Sequence, residues 1–501
     1  MEKHETISPR VSVGFDPLWV ETHYGPLFEE HIEYFFYPLL KTHSAWITML
    51  AECGVVPTDS AIHICKAIDE LNIEGPEVLR PFIPEYGDVY VHVEKYLENK
   101  IGKTHVGHLA LARTRPEPIA RLVLRQKLVE IIDEVLLFLE KILITSEEHS
   151  DTVITGYTHA QPAQATTYGH YLLSVYDPIS EDLKFLEDAF DNVNRCTLGC
   201  GALAGTSFKI DRYRVADLLG FNGIVENTFA CVGSNDFMVN SANAIVDIFV
   251  TLSRVLSDFM EWSSYDIGMM LTAPQFSSYS SLMPQKYNTT VIEGGRVKCA
   301  HCINLAHNVS TRLMKGHYGD VKEIDLSWNP TFQTIDHSKD VIKLIGEVIR
   351  TMQIDKQKML ELAENNYCTA SELSDQIYIS RNIPYRKAHA IVGNVINFAI
   401  KNKLKATDVT SKMVDDAAIL VTGEPINLSE EDVKNSLDPK AFVARRNLVG
   451  GPAPEEVLRM IKIRKEKLNS LFIDQKNRKD RLASSEGVLK EAVNNLTKEG
   501  E

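Results

Sequence analysis

Residues 278–288 concentrate side chains that could bind a carboxylate while a proton is removed from the carbon next to it. The run reads Ser278-Tyr279-Ser280-Ser281-Leu282-Met283-Pro284-Gln285-Lys286-Tyr287-Asn288. It combines several hydroxyls, a flexible cation and an amide, and it lies just ahead of a segment with helical periodicity. Preorganised donors of these types stabilise the negative charge that develops on carboxylate oxygens during such a reaction. A lysine in a loop is ordinarily a solvated charge, so the prediction depends on the whole run.

A second polar segment covers residues 156–164. It reads Gly156-Tyr157-Thr158-His159-Ala160-Gln161-Pro162-Ala163-Gln164. A histidine such as His159 titrates usefully near neutral pH when a carboxylate orients its ring. Glu293 lies on the predicted helix after the first run. The alternatives are a structural role for His159 and a solvated helix charge for Glu293.

The composition indicates an ordinary globular protein with more than one domain. The chain has 501 residues, of which 44% are hydrophobic and 24% are charged, and this length exceeds a single core. A net charge of −15 argues against nucleic acid and anionic membranes as partners. No segment has the ~18 uninterrupted apolar residues of a membrane span. The first residues also lack a signal-peptide core.

The cysteines predict a reduced protein in the cytoplasm. Eight of them are scattered through the chain without a framework spacing. Cys299 and Cys302 enclose His301 in a spacing that could suggest a metal site. Because no second pair of ligands accompanies them, we interpret them as part of a helix. We expect no metal and no organic cofactor.

Apolar side chains at helical spacing predict an all-α fold built around a long helix bundle. The stripe in residues 118–144 consists of Leu128, Ile131, Val135, Phe138 and Ile142. Similar stripes recur near residues 179–190, 245–259 and 341–352. None of them alternates with a period of two, and several long amphipathic helices are typical of a bundle.

The domain boundaries follow from breaks in this pattern. Pro116 and Pro118 interrupt the helical periodicity and predict the start of the central bundle. Thr369 and Glu372 have the spacing of a capping box that would open a further helical domain. The predicted units are an N-terminal helical domain (1–113), the central helix bundle (114–365), a C-terminal helical domain (366–472) and a charged tail (473–501). The tail is predicted as a lone surface helix or a frayed segment.

Both polar segments resemble those of one enzyme superfamily. Residues 278–288 resemble the fumarase/aspartase/argininosuccinate lyase signature, Gly-Ser-Ser-x-Met-Pro-x-Lys-x-Asn, with Tyr279 in place of the first glycine. Residues 156–164 resemble the argininosuccinate lyase segment Gly-Tyr-Thr-His-Leu-Gln-x-Ala-Gln. The resemblance extends over about residues 10–470. Three further matching stretches, which favour the argininosuccinate lyase branch, are Gly201–Thr206, Asn382–His389 and Val443–Gly451.

The resemblance implies a three-domain, mainly helical fold and a homotetramer. In this family the central helices of the subunits form a shared core, and each active site combines segments from three subunits. The implied reaction is a reversible β-elimination that converts an N-substituted aspartate to fumarate and an amine. The only implied partners are therefore a small-molecule substrate and other copies of this chain.

The resemblance also implies the roles of individual residues. Ser280 corresponds to the general base, which acts as an alkoxide and needs a cation and backbone N–H groups to lower its pKa. His159 and Glu293 complete the implied catalytic set, in which the glutamate holds the histidine. The positions implied to bind substrate are Thr158, Ser281, Lys286, Asn288, Arg115, Met283 and Gln161. Residues 278–288 are implied to form a mobile lid that excludes water. The general acid is not identified.

Departures from the family pattern predict a different amine. The family has Ser-Arg-Asn-Asp-Gln where this chain reads Thr114-Arg115-Pro116-Glu117-Pro118, and Pro116 offers only a carbonyl. The family's Tyr, Gln and Lys align with Asp320, Asp325 and Trp328. The groups that hold fumarate therefore match, whereas those that hold the citrulline-like part mostly do not. Aminopolycarboxylates such as ethylenediamine disuccinate offer a precedent, and the two aspartates would suit a cationic amine.

Three alternatives remain open. The first is a true argininosuccinate lyase, and the second is a catalytically inactive structural homologue like the lens crystallins of this family. The inactive homologue is disfavoured because it would not need Ser280, Lys286, Asn288, Thr158, His159 and Glu293 together. The third, C–O or ring-closing chemistry, is disfavoured by the C-terminal matches.

Overall fold

The computed structural model describes residues 14–114 and 118–498. In this part of the chain it contains twenty α-helices and three short antiparallel strand pairs. The N-terminal helices are α1 (Pro17–Trp19), α2 (Gly25–Glu52), α3 (Thr58–Glu74), α4 (Val89–Ile101) and α5 (Lys103–Val106). A π-helical turn, Val20–Tyr24, joins α1 to α2. The all-α prediction is therefore confirmed.

The middle of the chain forms the central helices. They are α6 (Ile119–Glu148), α7 (Tyr168–Val193), α8 (Arg212–Leu218), α9 (Thr228–Gly233), α10 (Asp236–Asn243), α11 (Val246–Trp262), α12 (Thr290–Leu313) and α13 (Lys322–Thr351). The last third contains α14 (Lys356–Asn365), α15 (Ala370–Arg381), α16 (Tyr385–Lys401), α17 (Ser411–Thr422), α18 (Glu430–Leu437), α19 (Pro439–Ala444) and α20 (Pro454–Lys498).

Five long helices, α6, α7, α11, α12 and α13, pack along one another as a bundle. Their apolar stripes face inward because burial of these side chains removes apolar surface from water. The predicted stripe on α6 is fully buried at Leu128, Ile131, Val135, Phe138 and Ile142. Large aromatic side chains of these helices, such as Phe138, Tyr168, Phe249, Phe259 and Phe332, are also buried and fill the core.

One stretch, Asp236–Trp262, is apolar and long enough to cross a membrane by composition alone. It covers α10 and α11, and half of its most apolar window is buried inside the protein. Ile248, Phe249 and Leu252 pack in the bundle. Its apolar character is explained by this place in the core.

The N-terminal and central helices share one hydrophobic core, whereas residues 373–437 enclose a second core. The boundary predicted at residue 365 coincides with the end of α14, and the one predicted at residue 472 falls inside α20. Residues 473–498, the predicted charged tail, are the second half of α20. This half lies on the bundle, where Gln475 donates a 2.9 Å hydrogen bond to the Val129 carbonyl and Leu489 is buried.

The strands are β1 (Val153–Thr158), β2 (Gln161–Thr167), β3 (Met270–Leu271), β4 (Ser278–Tyr279), β5 (Tyr287–Asn288) and β6 (Gln353–Ile354). The pairs are β1 with β2, β3 with β6, and β4 with β5. The sequence did not predict them. Four of the strands have only two residues, and β1 is buried on consecutive residues rather than alternate ones. Neither case produces a period-two pattern.

The predicted capping box at Thr369 and Glu372 is wrong, although α15 does begin at Ala370. The Thr369 hydroxyl donates to the Leu437 carbonyl at 3.2 Å instead of capping the helix. The Glu372 carboxylate accepts hydrogen bonds of 2.9 Å from both Arg445 and Arg446. Tertiary partners therefore replace the local ones.

Glu372 joins the two ends of the C-terminal domain through this pairing. Its side chain is buried, with 6% exposure. Burial by itself would raise the pKa of Glu372, but hydrogen bonds from Gln376 and Arg445 and the charge of Arg446 outweigh it, so the pKa lies below its ordinary value. The ionised carboxylate therefore stabilises the fold.

We expect Glu372→Gln to weaken the contact between α15 and α19 by about 1–3 kcal/mol, the range for hydrogen bonds to charged groups. In the native protein this contribution is complete above the unfolded pKa, near 4.5, and is lost as the pH falls through the lower folded pKa. Hydrogen exchange of the α15 and α19 amides measures it. Glu424→Gln, at an exposed position of the same domain, is the control. Equal protection in the two variants at pH 7 would contradict the expectation.

Candidate active site

Thr158 and His159 lie at the tip of the β1–β2 hairpin. Thr158 pairs with Gln161, so His159 and Ala160 form a two-residue turn. Their φ angles are 55° and 57°, as a type I′ turn requires. Left-handed backbone is uncommon for residues with side chains. The hairpin register therefore imposes a fixed, outward direction on the His159 side chain, which is exposed together with those of Thr158 and Gln161.

The base of this hairpin is held firmly by the C-terminal part of the chain. The Asn366 amide donates a 2.9 Å hydrogen bond to the Thr155 hydroxyl, and Gln164 donates to Ser371 at 3.2 Å. The strands pack on α14 and α19. A fixed base with a free tip suits a side chain that must reach a ligand outside its own subunit.

The signature run forms a second hairpin, in which β4 and β5 flank the loop 280–286. Ser278 pairs with Asn288, and Tyr279 pairs with Tyr287. The Tyr287 hydroxyl donates a 2.7 Å hydrogen bond to the Thr272 carbonyl and so fixes the base of the loop. The sequence prediction missed this anchor because Tyr287 occupies an unspecified position of the signature.

Ser280 has a distinctive hydrogen-bonding environment. Its Oγ accepts hydrogen bonds from the backbone N–H groups of Met283 (3.0 Å) and Leu282 (3.4 Å). Donors directed at an oxygen favour its negatively charged form. The loop itself therefore supplies the backbone N–H groups that the sequence analysis required of a serine base.

The other side chains of the loop face solvent. Ser281 and Lys286 are exposed, Met283 is 39% exposed and Asn288 is half-buried. Among the described residues, Ser281, Lys286 and Asn288 make no side-chain hydrogen bond or ion pair, so their polar atoms are available to a ligand. Tyr279 is 87% exposed and does not fill a pocket within this chain.

Glu293 lies in the first turn of α12 and is exposed. It makes no hydrogen bond to His159 within the described part of this single chain. The hairpin of His159 packs on α14 and α19, whereas α12 packs on α10, α11 and α13. The pairing of the two residues therefore stays a prediction that an assembly would have to satisfy.

Asp320, a further aligned substrate position, lies at the other end of α12 from the signature loop. Arg115 and Pro116 are outside the described residues. Asp320 lies in the connection between the C-terminal end of α12 and the start of α13, whereas Ser280 precedes the N-terminal end of α12. α12 has 24 residues and is therefore about 36 Å long at 1.5 Å per residue, and the two groups belong to connections at its opposite ends. Within one chain they cannot contact the same small molecule.

Two of the aligned substrate positions are already occupied by contacts within this chain. Trp328 is buried, and its ring makes an edge contact with Phe35 at a centroid distance of 5.0 Å. Asp325 forms a 2.9 Å ion pair with Lys322. Trp328 therefore belongs to the core, and the charge of Asp325 is partly compensated.

Possible metal ligands lie away from both hairpins. Asp59, His63 and His105 on α3 and α5 approach one another within 4.8 Å. The Nδ1 atoms of the two imidazoles are already within hydrogen-bonding distance of protein oxygens, Asp59 O and Ser60 Oγ. Cys299 and Cys302 are buried on α12 in the core. No step of the proposed chemistry uses these groups.

Comparison with known protein families gives two matches along the chain. Residues 29–303 match the domain described as lyase, and residues 367–444 match the argininosuccinate lyase C-terminal domain. The first match includes the hairpin tip, the signature loop and Glu293. The second covers most of the C-terminal helices.

Curated relatives and solved structures agree with these matches. Argininosuccinate lyase of Methanocaldococcus jannaschii is 34% identical over 85% of this chain and 87% of that protein. Argininosuccinate lyase of Methanothermobacter thermautotrophicus is 32% identical over 94% of this chain and 99% of that protein. EDDS lyase in complex with formate is 27% identical, with a TM-score of 0.85 over 98% of this chain and 97% of that chain. A double variant of EDDS lyase with bound fumarate is 26% identical, with a TM-score of 0.84 over 98% of this chain and 99% of that chain.

Proposed function

This chain belongs to the argininosuccinate lyase family and is a carbon–nitrogen lyase, and we propose that it cleaves an N-substituted aspartate other than argininosuccinate to fumarate and an amine. The observation that favours this proposal is the difference between the two ends of the bundle. The signature loop keeps every polar side chain of the family pattern, whereas Trp328 and Asp325, at positions of substrate recognition, are engaged in contacts within the chain.

Ser280 is the proposed general base. It would take the proton from the carbon next to one carboxylate, and the electron pair would then expel the amine from the neighbouring carbon. The N–H groups of Leu282 and Met283 stabilise the alkoxide form of Ser280. Lys286 supplies a positive charge when the loop closes. In the proposed site, Glu293 orients His159.

Donors that face solvent in one chain would hold the dicarboxylate. Thr158, Ser281, Lys286 and Asn288 provide hydroxyl, ammonium and amide donors for the carboxylate that gains charge in the transition state. Gln161, Met283 and Arg115 are proposed to complete the pocket. Closure of the loop 280–286 over the substrate would exclude water and strengthen these interactions.

The active form is proposed to be a homotetramer with shared sites. Groups that must act on one substrate lie at opposite ends of α12, which is about 36 Å long at 1.5 Å per residue. Copies of the bundle packed side by side can bring opposite ends together. Exposed apolar side chains on the bundle, such as Val297 (70%), Phe185 (52%) and Val250 (45%), would be buried by this packing.

The amine is proposed to be that of an aminopolycarboxylate or a related amine. The similarity to EDDS lyase extends over nearly the whole chain. Asp320 is exposed at the end of the bundle opposite the two hairpins, which we call the recognition end. A true argininosuccinate lyase is the second candidate, because relatives of that name are 32–34% identical. Cys53, Cys65, Cys299, Cys302 and Cys368 are free thiols in the structure, which fits the proposed cytoplasmic location.

We expect Ser280→Ala to lower kcat about 10²- to 10⁴-fold, the usual contribution of a positioned general base. The KM should change little, because Ser280 acts on the proton that leaves and not on the carboxylates. Ser278→Ala, in the neighbouring strand, is the matched control and should keep its kcat. Turnover is followed through fumarate absorbance. A kcat of Ser280→Ala close to that of the control would remove Ser280 from the mechanism.

Shared sites predict that two inactive variants restore activity when mixed. We expect Ser280→Ala and His159→Asn subunits to regain measurable turnover after exchange, because some sites then combine two intact chains. A mixture of Ser280→Ala with Lys286→Ala, which lie on the same loop, should regain none. Mass spectrometry of the intact assembly verifies the exchange. Verified exchange without recovery in the first mixture would count against shared sites.

The substrate proposal predicts a low kcat/KM for argininosuccinate. Each missing hydrogen bond at the recognition end costs about 1–3 kcal/mol, so several together leave a very poor substrate. The assay compares argininosuccinate with aspartate and a panel of aminopolycarboxylates, and the reverse reaction tests fumarate with amines. A kcat/KM for argininosuccinate of about 10⁴ M⁻¹s⁻¹ or more would establish the second candidate instead.

A further inference from the structure

Two cysteines approach each other in the connections at the recognition end of the bundle. Cys231 is half-buried on α9, and Cys200 is fully buried in the segment that follows α7. Cys200 adjoins the matching stretch Gly201–Thr206. Cys231 lies two residues before the segment Gly233–Phe237, which the resemblance aligns with the family's Ser-Asp-Arg-Asp-Phe and which reads Gly-Ser-Asn-Asp-Phe here. The proposed function leaves both thiols without a role.

The sulfur of Cys231 is surrounded mainly by hydrogen-bond donors. Nη2 of Arg212 lies 3.2 Å from Sγ, and the Cys200 thiol also hydrogen-bonds to this sulfur. The acceptor within reach of the Cys231 thiol is the Val225 carbonyl, at the longer distance of 3.4 Å. The single Cys200 S–H also has the Gly201 carbonyl within 3.2 Å, so the cationic Arg212 is the donor that most favours the thiolate, which accepts hydrogen bonds and cannot donate them.

The charges around Cys231 favour the same form. Arg121, Arg125 and Arg212 lie in this region, and none of them pairs with a carboxylate of a described residue. Their guanidinium groups donate instead to backbone carbonyls such as those of Asn192, Gly220 and Leu198. Arg121 and Arg125 are also buried. Arg212 and Arg121 are the cations whose charges act on Cys231, so a thiolate there would place a negative charge beside cations that have no carboxylate partner among the described residues.

The remaining cysteines supply a contrast. The Cys200 hydrogen bond and the Arg212 charge lower the pKa of Cys231 despite its burial. Burial raises the pKa of Cys53, which is exposed at the surface. It also raises the pKa of Cys299 and Cys368 in the interior. Cys231 thus combines thiolate character with partial access to solvent, the two conditions for a reactive thiol.

We propose that Cys231 is an oxidation site whose resolving partner is Cys200, so that a peroxide converts the two thiols into a disulfide. The Cys231 thiolate attacks one oxygen of hydrogen peroxide; an S–O bond forms, the O–O bond breaks and hydroxide leaves, giving a sulfenic acid. The Cys200 sulfur then attacks the Cys231 sulfur, and the hydroxyl leaves as water with the Cys200 proton. In sum, two thiols and one peroxide give one disulfide and two waters.

The disulfide would tie the segment after α7 to α9. It would also remove the negative charge that Arg212 contacts, while Arg212 keeps its hydrogen bonds to the carbonyls of Leu198 and Val225. The segment Gly233–Phe237 begins with the last residue of α9 and runs into α10, so the oxidised link would act next to the recognition end. A thiol reductant would reverse it.

The test uses the full-length protein and compares Cys231 with Cys53 in the same molecules. Isotope-coded iodoacetamide labels both thiols near neutral pH, and mass spectrometry of the peptides gives the rate at each site. We expect Cys231 to react at least about tenfold faster than the exposed Cys53, because the thiolate is the reactive form. Equal or faster labelling of Cys53 would overturn the proposal.

Peroxide treatment tests the resolving partner. The wild-type protein should lose two hydrogens and give a peptide that links residues 200 and 231. Cys200→Ser should stop at the sulfenic acid, which dimedone traps on Cys231. Cys231→Ser should form no link, and Cys53→Ser, the matched control, should behave like the wild type. Absence of the linked peptide from the wild type, or a disulfide of Cys200 with a cysteine other than Cys231, would refute the assignment. Circular dichroism verifies that each serine variant is folded.

Discussion

Burial of the apolar stripes on five long helices is the constraint from which the rest of the structure follows. Leu128, Ile131 and Phe138 on α6, and their counterparts on α7, α11, α12 and α13, fill most of the interior of the bundle with apolar side chains. The chemistry must therefore lie in the connections at its ends. Because each residue adds 1.5 Å, those ends are tens of ångströms apart. Under the proposed function, one subunit would thus present two partial sites instead of one complete site.

The end with the two hairpins combines fixed bases with free tips. Thr155 and Gln164 tie the first hairpin to the C-terminal helices, and the Tyr287 hydroxyl anchors the second. Beyond these anchors, His159 and Lys286 extend into solvent. Such an arrangement positions a side chain while leaving its polar atoms free of hydrogen bonds within its own chain. It also lets the loop around Ser280 move while its ends stay in place.

At the recognition end, three arginines hold the irregular segments, and two of them, Arg121 and Arg125, are buried. Arg121, Arg125 and Arg212 donate to backbone carbonyls and thereby hold irregular segments that have few helical hydrogen bonds of their own. Arg212 and Arg121 therefore place positive charge beside Cys231. This charge is also close to Gly233–Phe237. The same interactions that order the recognition end thus also set its electrostatic character. A difference in substrate and a reactive thiol would both arise from these segments.

The sequence by itself determined the helices and the chemistry of the signature run, because both are written in local spacing. The stripe of Leu128 and Ile131 needs only helical periodicity, and Ser280, Lys286 and Asn288 stand within nine residues of one another. Tertiary structure decided everything that depends on distant partners. It assigned Glu372 to Arg445 and Arg446 instead of a helix cap, and it docked the charged half of α20 on the bundle. It also placed Trp328 in the core and Asp320 at the opposite end of α12 from Ser280, because a residue's surroundings in a packed protein depend on which elements lie beside it.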